Sequence, residues 1–167
     1  TSQAFQEFIE SMPVFPATLI ESPETLSECA QRYDLVITGS DQIWNRSCAD
    51  FSEIYMGAGI AETPLLAYAS SFGGRSPLCE EHRERNACLL KRYASISVRE
   101  NNAAKWCEEL TGVAPKIVPD PTLLITQQHW SDKTRSSASS DYIFFYGVAL
   151  DKWVYRTLAR VGRQLGL

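Results

Sequence analysis

Short apolar runs alternate along this chain with longer charged stretches of helical spacing, and each apolar run ends abruptly in glycine or polar residues. The apolar runs lie at residues 35–37, 65–71, 94–98 and 116–118. The stretches between them, such as 77–92, are long enough for crossover helices. This alternation is typical of parallel sheets with right-handed crossovers. We therefore predict an α/β fold with a Rossmann-like, doubly wound parallel sheet.

The two ends of the chain follow other patterns. Phe5, Phe8, Ile9 and Met12 recur at helical spacing and predict a short helix before Pro13. The segment 131–141 is polar and rich in serine, which predicts a linker. An aromatic strand at 142–146 and a helix at 152–165 follow, and the apolar residues of this helix are expected to face inward: Trp153, Leu158, Val161 and Leu165.

A single strand and helix cannot bury both faces of the strand. We therefore expect a first lobe at residues 1–130 that lacks its opening strand, a linker at 131–141, and the beginning of a second lobe at 142–167. On this interpretation the sequence is a piece of a larger protein.

Composition excludes several classes of function. The formal net charge of -4 and the pI of about 5.2 argue against a nucleic-acid partner. The five cysteines are widely spaced and the two histidines lie apart, so we predict no metal site. No apolar stretch approaches the roughly 20 residues of a membrane helix, and we predict no membrane insertion.

The loop at residues 39–45 has the character of a ligand site. Ligands of open parallel sheets bind outside the carboxyl ends of the strands, and Gly39 ends the first apolar run. Ser40 and Asp41 would then stand at the crevice, with Gln42 and Asn45 behind them. An equally acceptable interpretation is an ordinary turn in which serine or aspartate caps the next helix.

Polar signatures follow the other three apolar runs as well. They are Ser70-Ser71-Phe72-Gly73-Gly74, then Ser97 with Arg99-Glu100, then Asp120-Pro121-Thr122. Because the carboxyl ends of parallel strands share one edge, we expect all four signatures to converge there.

These signatures also carry a resemblance to a known family. The motifs D-x-V-I-x-G-S-D-Q-x-W-N, A-Y-A-S-S-F-G, I-S-V-R-E and D-P-T-L-L occur in this order between Asp34 and Trp130. The chain thus resembles polysaccharide pyruvyl transferases. The resemblance implies one lobe of a two-lobe, glycosyltransferase-B-like architecture. It also implies an enzyme that transfers pyruvate from phosphoenolpyruvate to sugar hydroxyls as a ketal and releases phosphate.

The same resemblance implies the setting of the reaction. The acceptor would be a precursor of an exopolysaccharide or another cell-envelope polysaccharide. Phosphoenolpyruvate would be a donor substrate, and no cofactor would be needed. The enzyme would work in the cytoplasm or at the inner face of the membrane. The acceptor sugar, its linkage and any homo-oligomer stay open.

Candidate site residues follow from what such chemistry needs. Guanidinium groups suit carboxylates and phosphates, so Arg99 is the first candidate for anion binding and Arg75 the second. The alternative for Arg99 is an ion pair with Glu100 or Asp120. Asp41 is the candidate general base, or a cap. Further substrate-binding residues are expected at Ser40, Gln42, Asn45, Ser71 and Gly73.

Other residues are assigned differently. Trp44 is expected in the core rather than against a sugar, and Asp120 is expected mainly to fix the backbone between two prolines. No general acid is evident, and we expect one in the second lobe. Two other functions are compatible with the pattern: a B-type glycosyltransferase that uses a nucleotide sugar, and a non-catalytic module that binds a glycan or an anion.

Overall fold

The computed structural model describes residues 3–14, 19–133, 141–147 and 151–167. These residues fall into two compact units, Thr1–Leu124 and Ile125–Leu167, which we describe separately. The lobe boundaries at residues 130 and 141 stay predictions, and residues 134–140 of the expected linker lie outside the described residues.

Unit 1 contains a sheet of four parallel strands whose spatial order follows the chain. The strands are β1 Val36–Thr38, β2 Leu65–Ser70, β3 Ser95–Val98 and β4 Lys116–Ile117. Its helices are α1 Gln3–Glu10, α2 Pro23–Ala30, α3 Glu80–Leu90 and α4 Asn101–Thr111, with short 3-10 turns at Glu53–Met56 and Pro121–Leu124. The prediction of a parallel α/β sheet is confirmed, and the sheet with its flanking helices is consistent with a Rossmann-like fold.

The crossover helices α3 and α4 pack against each other, and α4 also contacts β3 and β4. Both helices therefore lie on the same face of the sheet. Ile37 on β1 is 59% exposed in unit 1. Helices over the opposite face, which a doubly wound sheet requires, stay a prediction.

The core of unit 1 is built around Trp44, which is 1% exposed. Its indole ring lies 5.2 Å from the ring of Phe72 and 5.7 Å from the ring of Tyr93, centre to centre. Such tilted and edge-on arrangements are the ones that aromatic pairs prefer. The expectation that Trp44 belongs to the core is confirmed, and its burial anchors the loop that follows β1.

An irregularity near the end of β2 directs this strand toward the same loop. The register of β2 against β3 shifts between Ala67 and Ser70, and Ala69 has a left-handed backbone with φ 54°. The Ser97 hydroxyl fills the gap, because it donates to the Ala67 carbonyl at 3.0 Å and accepts from the Ala69 N–H at 3.3 Å. Ser97 therefore repairs the ladder where the irregularity would leave backbone groups unpaired.

Unit 2 contains α5 Gln127–Lys133 and α6 Lys152–Leu165. Residues 131–133, the beginning of the expected linker, form the last turn of α5. The Ser131 hydroxyl donates to the Gln127 carbonyl there, a local bond that lets serine lie within a helix.

Two predictions for this unit are wrong. The segment 142–146 is not a strand, and Phe144 and Tyr146 are 80% and 81% exposed. A strand needs a neighbour for its backbone N–H and carbonyl groups, and the described residues of unit 2 supply none. The helix at 152–165 forms as predicted, but its apolar residues do not all face inward: Trp153 and Leu165 are each 64% exposed.

Candidate active site

The loop after β1 passes directly against the backbone of β2, and Gly39 makes this possible. Its φ of 124° lies in a region that side chains rarely adopt, and a Cβ atom there would collide with the Tyr68 carbonyl. The glycine that ends the first apolar run is therefore needed for contact between backbones.

Asp41 has a fixed backbone and an exposed carboxylate. Its carbonyl accepts from the Ser71 N–H at 3.0 Å, it forms a parallel bridge with Ser70, and its φ is 65°. Aspartate tolerates this left-handed conformation better than most residues. The side chain is 81% exposed, and its Oδ1 accepts from the Arg99 Nη2 at 3.2 Å. The carboxylate thus faces an arginine rather than a helix N-terminus.

Asp120 connects three of the four predicted signatures. Its Oδ2 accepts from the Arg99 Nη1 at 2.8 Å and from the Ser40 hydroxyl at 3.0 Å. Its Oδ1 accepts from the backbone N–H of Thr122 at 3.0 Å and from the Thr122 hydroxyl at 2.7 Å. Asp120 does fix its own loop, as expected, but it also positions Ser40 and Arg99. The sequence signal, an aspartate between prolines, does not reveal these distant partners.

Arg99 is surrounded by acidic side chains. Besides Asp41 and Asp120, its Nε lies 3.5 Å from the Glu100 carboxylate, and the arginine side chain is 23% exposed. The ion pairs that were the alternative for Arg99 are therefore present. Binding of a substrate anion by Arg99 stays a prediction.

The remaining predicted binding residues form a packed layer beneath the loop. Asn45 is 7% exposed, and its Nδ2 donates to the Gln42 Oε1 at 2.9 Å. A Cβ at Gly73 would collide with this amide pair, so Gly73 gives it room. Ser71 is fully buried, and its hydroxyl accepts from the Gly73 N–H at 3.0 Å. Asn45, Ser71 and Gly73 shape the loop, and a direct contact with substrate remains untested for all of them.

The sequence motifs did not reveal a charged network that holds the far end of this loop against α3. Glu53 accepts from Arg46 at 2.7 Å and from the Arg85 Nε at 2.8 Å. The Arg46 Nε also donates to the buried amide of Asn86 at 2.9 Å. The hydrogen bonds from the two arginines lower the pKa of Glu53, and the bond from Arg85 has the largest effect. Their members lie up to 40 residues apart, so no local pattern could have indicated them.

The stability contributed by Asp120 is expected to depend on pH. Hydrogen bonds from Thr122, and then from Arg99 and Ser40, hold the pKa of Asp120 well below its usual range. This contribution is therefore present above the pKa of the unfolded chain, about 3.9, and is lost as the pH falls toward the lower folded-state pKa. We expect Asp120→Ala to lower the free energy of unfolding, and we expect this loss to be larger at pH 7 than at pH 3. Urea denaturation at both pH values measures this, and an unchanged difference would exclude a role for the ionised carboxylate.

Two features are absent from the described residues. These residues contain no group of three or more histidine, cysteine, aspartate or glutamate side chains arranged to hold a metal ion. Among these same residues no helix combines the length and the apolar character needed to cross a membrane.

Comparison with known proteins gave one match. A family model described as polysaccharide pyruvyl transferase matches residues 4–164, which is nearly the whole chain. No curated protein and no solved structure matched significantly.

Proposed function

The chain belongs to the polysaccharide pyruvyl transferase family, a family of enzymes that act on a polysaccharide or sugar substrate, and on that premise we propose its reaction. Pyruvate is transferred from phosphoenolpyruvate to hydroxyls of a cell-surface polysaccharide precursor. The methylene carbon of the donor takes up one proton. Two sugar hydroxyls form bonds to the neighbouring carbon and each loses its proton, while phosphate leaves with the electrons of its C–O bond and takes up the other proton. The product is a pyruvate ketal.

One observation carries this proposal: the exposed Asp41 carboxylate lies beside Arg99 at the carboxyl edge of a parallel sheet. A sugar hydroxyl that attacks carbon must lose its proton, and a carboxylate within hydrogen-bond reach can accept it. Asp41 meets the requirement for access because its side chain is 81% exposed. In this proposal Asp41 is the general base.

We propose that Arg99 binds the donor substrate by exchanging one of its carboxylate partners for phosphoenolpyruvate. Of its two hydrogen-bonded carboxylates, Asp120 is held by four hydrogen bonds, whereas Asp41 is exposed and lies at the longer distance of 3.2 Å. A carboxylate or phosphate of phosphoenolpyruvate would take the Nη2 of Arg99 from Asp41. Donor binding would then release Asp41 to accept a proton from the acceptor.

Arg99 is one cation among three carboxylates, so the donor needs further positive charge. Arg75 follows β2 and is exposed, and its guanidinium has no hydrogen-bond partner within the described residues. We propose Arg75 as a second donor contact. The general acid and the remaining donor contacts would come from a second lobe in a glycosyltransferase-B-like arrangement, with residues 142–167 as its beginning and the cytoplasm as the place of reaction.

The test is a donor titration of this chain, followed by heteronuclear NMR. Phosphoenolpyruvate is compared with phosphate and with UDP-glucose, and each titration is repeated on Arg99→Lys, which keeps the charge but loses the guanidinium fork. We expect phosphoenolpyruvate to shift the amides around Arg99 and to bind about tenfold more weakly to the variant. Preference for UDP-glucose would favour a glycosyltransferase instead. Equal binding of phosphoenolpyruvate to both proteins would remove Arg99 from the donor site.

A further inference from the structure

A cavity of about 340 Å³ is lined by residues of the loop after β1 and of the segment that follows it, and Asp41 forms part of its wall. Gln42, Asp50, Phe51 and Tyr55 are the other wall residues used below. We propose that this cavity, the acceptor pocket, binds one neutral sugar residue of the acceptor and presents its hydroxyls to Asp41. The assignment rests on the proposed function, and it adds the chemical class of the acceptor residue.

The aromatic side of the pocket consists of Phe51 and Tyr55. The Arg46 guanidinium lies 4.8 Å from the centre of the Phe51 ring, and Arg46 is itself held by Glu53 and Asn86. Tyr55 stands in the 3-10 turn and is 41% exposed. Ligand pockets commonly combine aromatic walls with a few polar groups that fix orientation. The two rings therefore give the C–H face of a sugar an ordered surface to pack against.

The polar side of the pocket has unused hydrogen-bonding capacity. Gln42 uses its amide oxygen for Asn45, while its amide nitrogen has no partner within the described residues. The same holds, for this part of the chain, of the Asp50 carboxylate and the Tyr55 hydroxyl. The Gln42 amide nitrogen and the Tyr55 hydroxyl are donor groups, and the Asp50 carboxylate and the same hydroxyl offer acceptor lone pairs around one cavity. Sugar hydroxyls, each a donor and an acceptor, match this set.

The charge of the pocket decides between neutral and acidic sugars. Among the described residues, its lining contains two carboxylates, Asp41 and Asp50, and no lysine or arginine. The nearby Arg46 is already paired with Glu53 at 2.7 Å. A uronic acid or another anion placed here would meet like charges at short range, which costs affinity. The negative wall also keeps phosphoenolpyruvate on the Arg99 side of Asp41.

The experiment titrates the chain with methyl glucoside, methyl galactoside and methyl glucuronide, followed by heteronuclear NMR. We expect the neutral glycosides to shift the amides of residues 41–55, and the glucuronide to bind at least tenfold more weakly. Tyr55→Ala and Asp50→Asn should weaken the binding of the neutral glycosides several-fold. The matched controls Tyr142→Ala and Asp34→Asn change exposed residues outside the pocket and should leave binding unchanged.

A charge reversal makes the test sharper. Asp50→Lys should move the preference toward the glucuronide by about tenfold or more, with the fold checked by circular dichroism. Equal affinity for neutral and acidic glycosides, or shifts that Tyr55→Ala and Asp50→Lys leave unchanged, would overturn the assignment.

Failure here is distinguishable from failure of the proposed function. If pyruvyl transfer proceeds while Tyr55→Ala and Asp50→Asn leave the KM for the acceptor unchanged, the pocket assignment is wrong and the reaction stands. If neutral glycosides bind in the pocket but no phosphoenolpyruvate is bound or consumed, the pocket stands as a glycan site and the reaction is wrong.

Discussion

Replacement of Gly39 by alanine is expected to lower the free energy of unfolding by about 3 kcal/mol or more. Two effects combine at this position. The φ of 124° is strained for any residue with a side chain, and the new methyl group would collide with the Tyr68 carbonyl, which is backbone and cannot rotate away. The loop would have to leave β2, and this would also disturb the bond between the Asp41 carbonyl and Ser71. Urea denaturation followed by tryptophan fluorescence measures the loss.

Gly74 provides the matched control for this substitution. Its φ of 73° is also left-handed, but nothing lies within 4 Å of a Cβ built there. Gly74→Ala therefore measures backbone strain alone and should cost about 1 kcal/mol. A Gly39→Ala protein as stable as Gly74→Ala would mean that the close passage of the loop against β2 is not a constraint on the fold.

Substitution of Asp41 by asparagine is expected to lower pyruvyl transfer by about 10²- to 10⁴-fold, the range that general bases contribute. Asparagine has nearly the same shape and can keep a hydrogen bond to Arg99, but it cannot accept the proton of a sugar hydroxyl. Because the side chain is 81% exposed and its ion pair is on the surface, the unfolding free energy should change by about 1 kcal/mol or less. Turnover is measured as pyruvate ketal formed from phosphoenolpyruvate, by NMR, in a protein that also contains the proposed second lobe.

Asp34→Asn is the control for Asp41→Asn, since it removes one exposed carboxylate just before β1 without touching the site. It should keep full turnover. An Asp41→Asn protein with unreduced turnover would exclude the general-base role. Loss of turnover together with a large loss of stability would show that Asp41 acts through the structure of the loop.

In the candidate site, the sequence indicated which loops meet but not how their side chains pair. The alternation of apolar runs and helical stretches predicted parallel strands, so the meeting of Ser40, Asp41, Arg99 and Asp120 at one edge could be expected. The pairing within that group could not be read from the sequence. Asp120 was expected to hold its own loop, yet it also binds side chains that lie 21 and 80 residues away.

The aromatic segment at 142–146 shows the opposite case, in which a pattern predicts more than the structure contains. Its composition favours a strand, but strand formation depends on a neighbouring strand, and within the described residues of unit 2 none is present. The same limit applies to the side chains of α6, whose helical pattern is correct while the burial of its apolar residues is not.

By its own pattern, the sequence of this protein determined the parallel α/β sheet and the core position of Trp44. It also determined which loops meet at the carboxyl edge of the sheet. These features depend on local periodicity and on glycine, which act over a few residues. Only the tertiary structure decided that Arg99 is shared among three carboxylates, that Asp120 holds Ser40 and Arg99 together, and that Asp41 contacts Arg99 and also lines a neighbouring cavity. Such contacts join residues far apart in the chain, and their geometry exists only after the strands have paired.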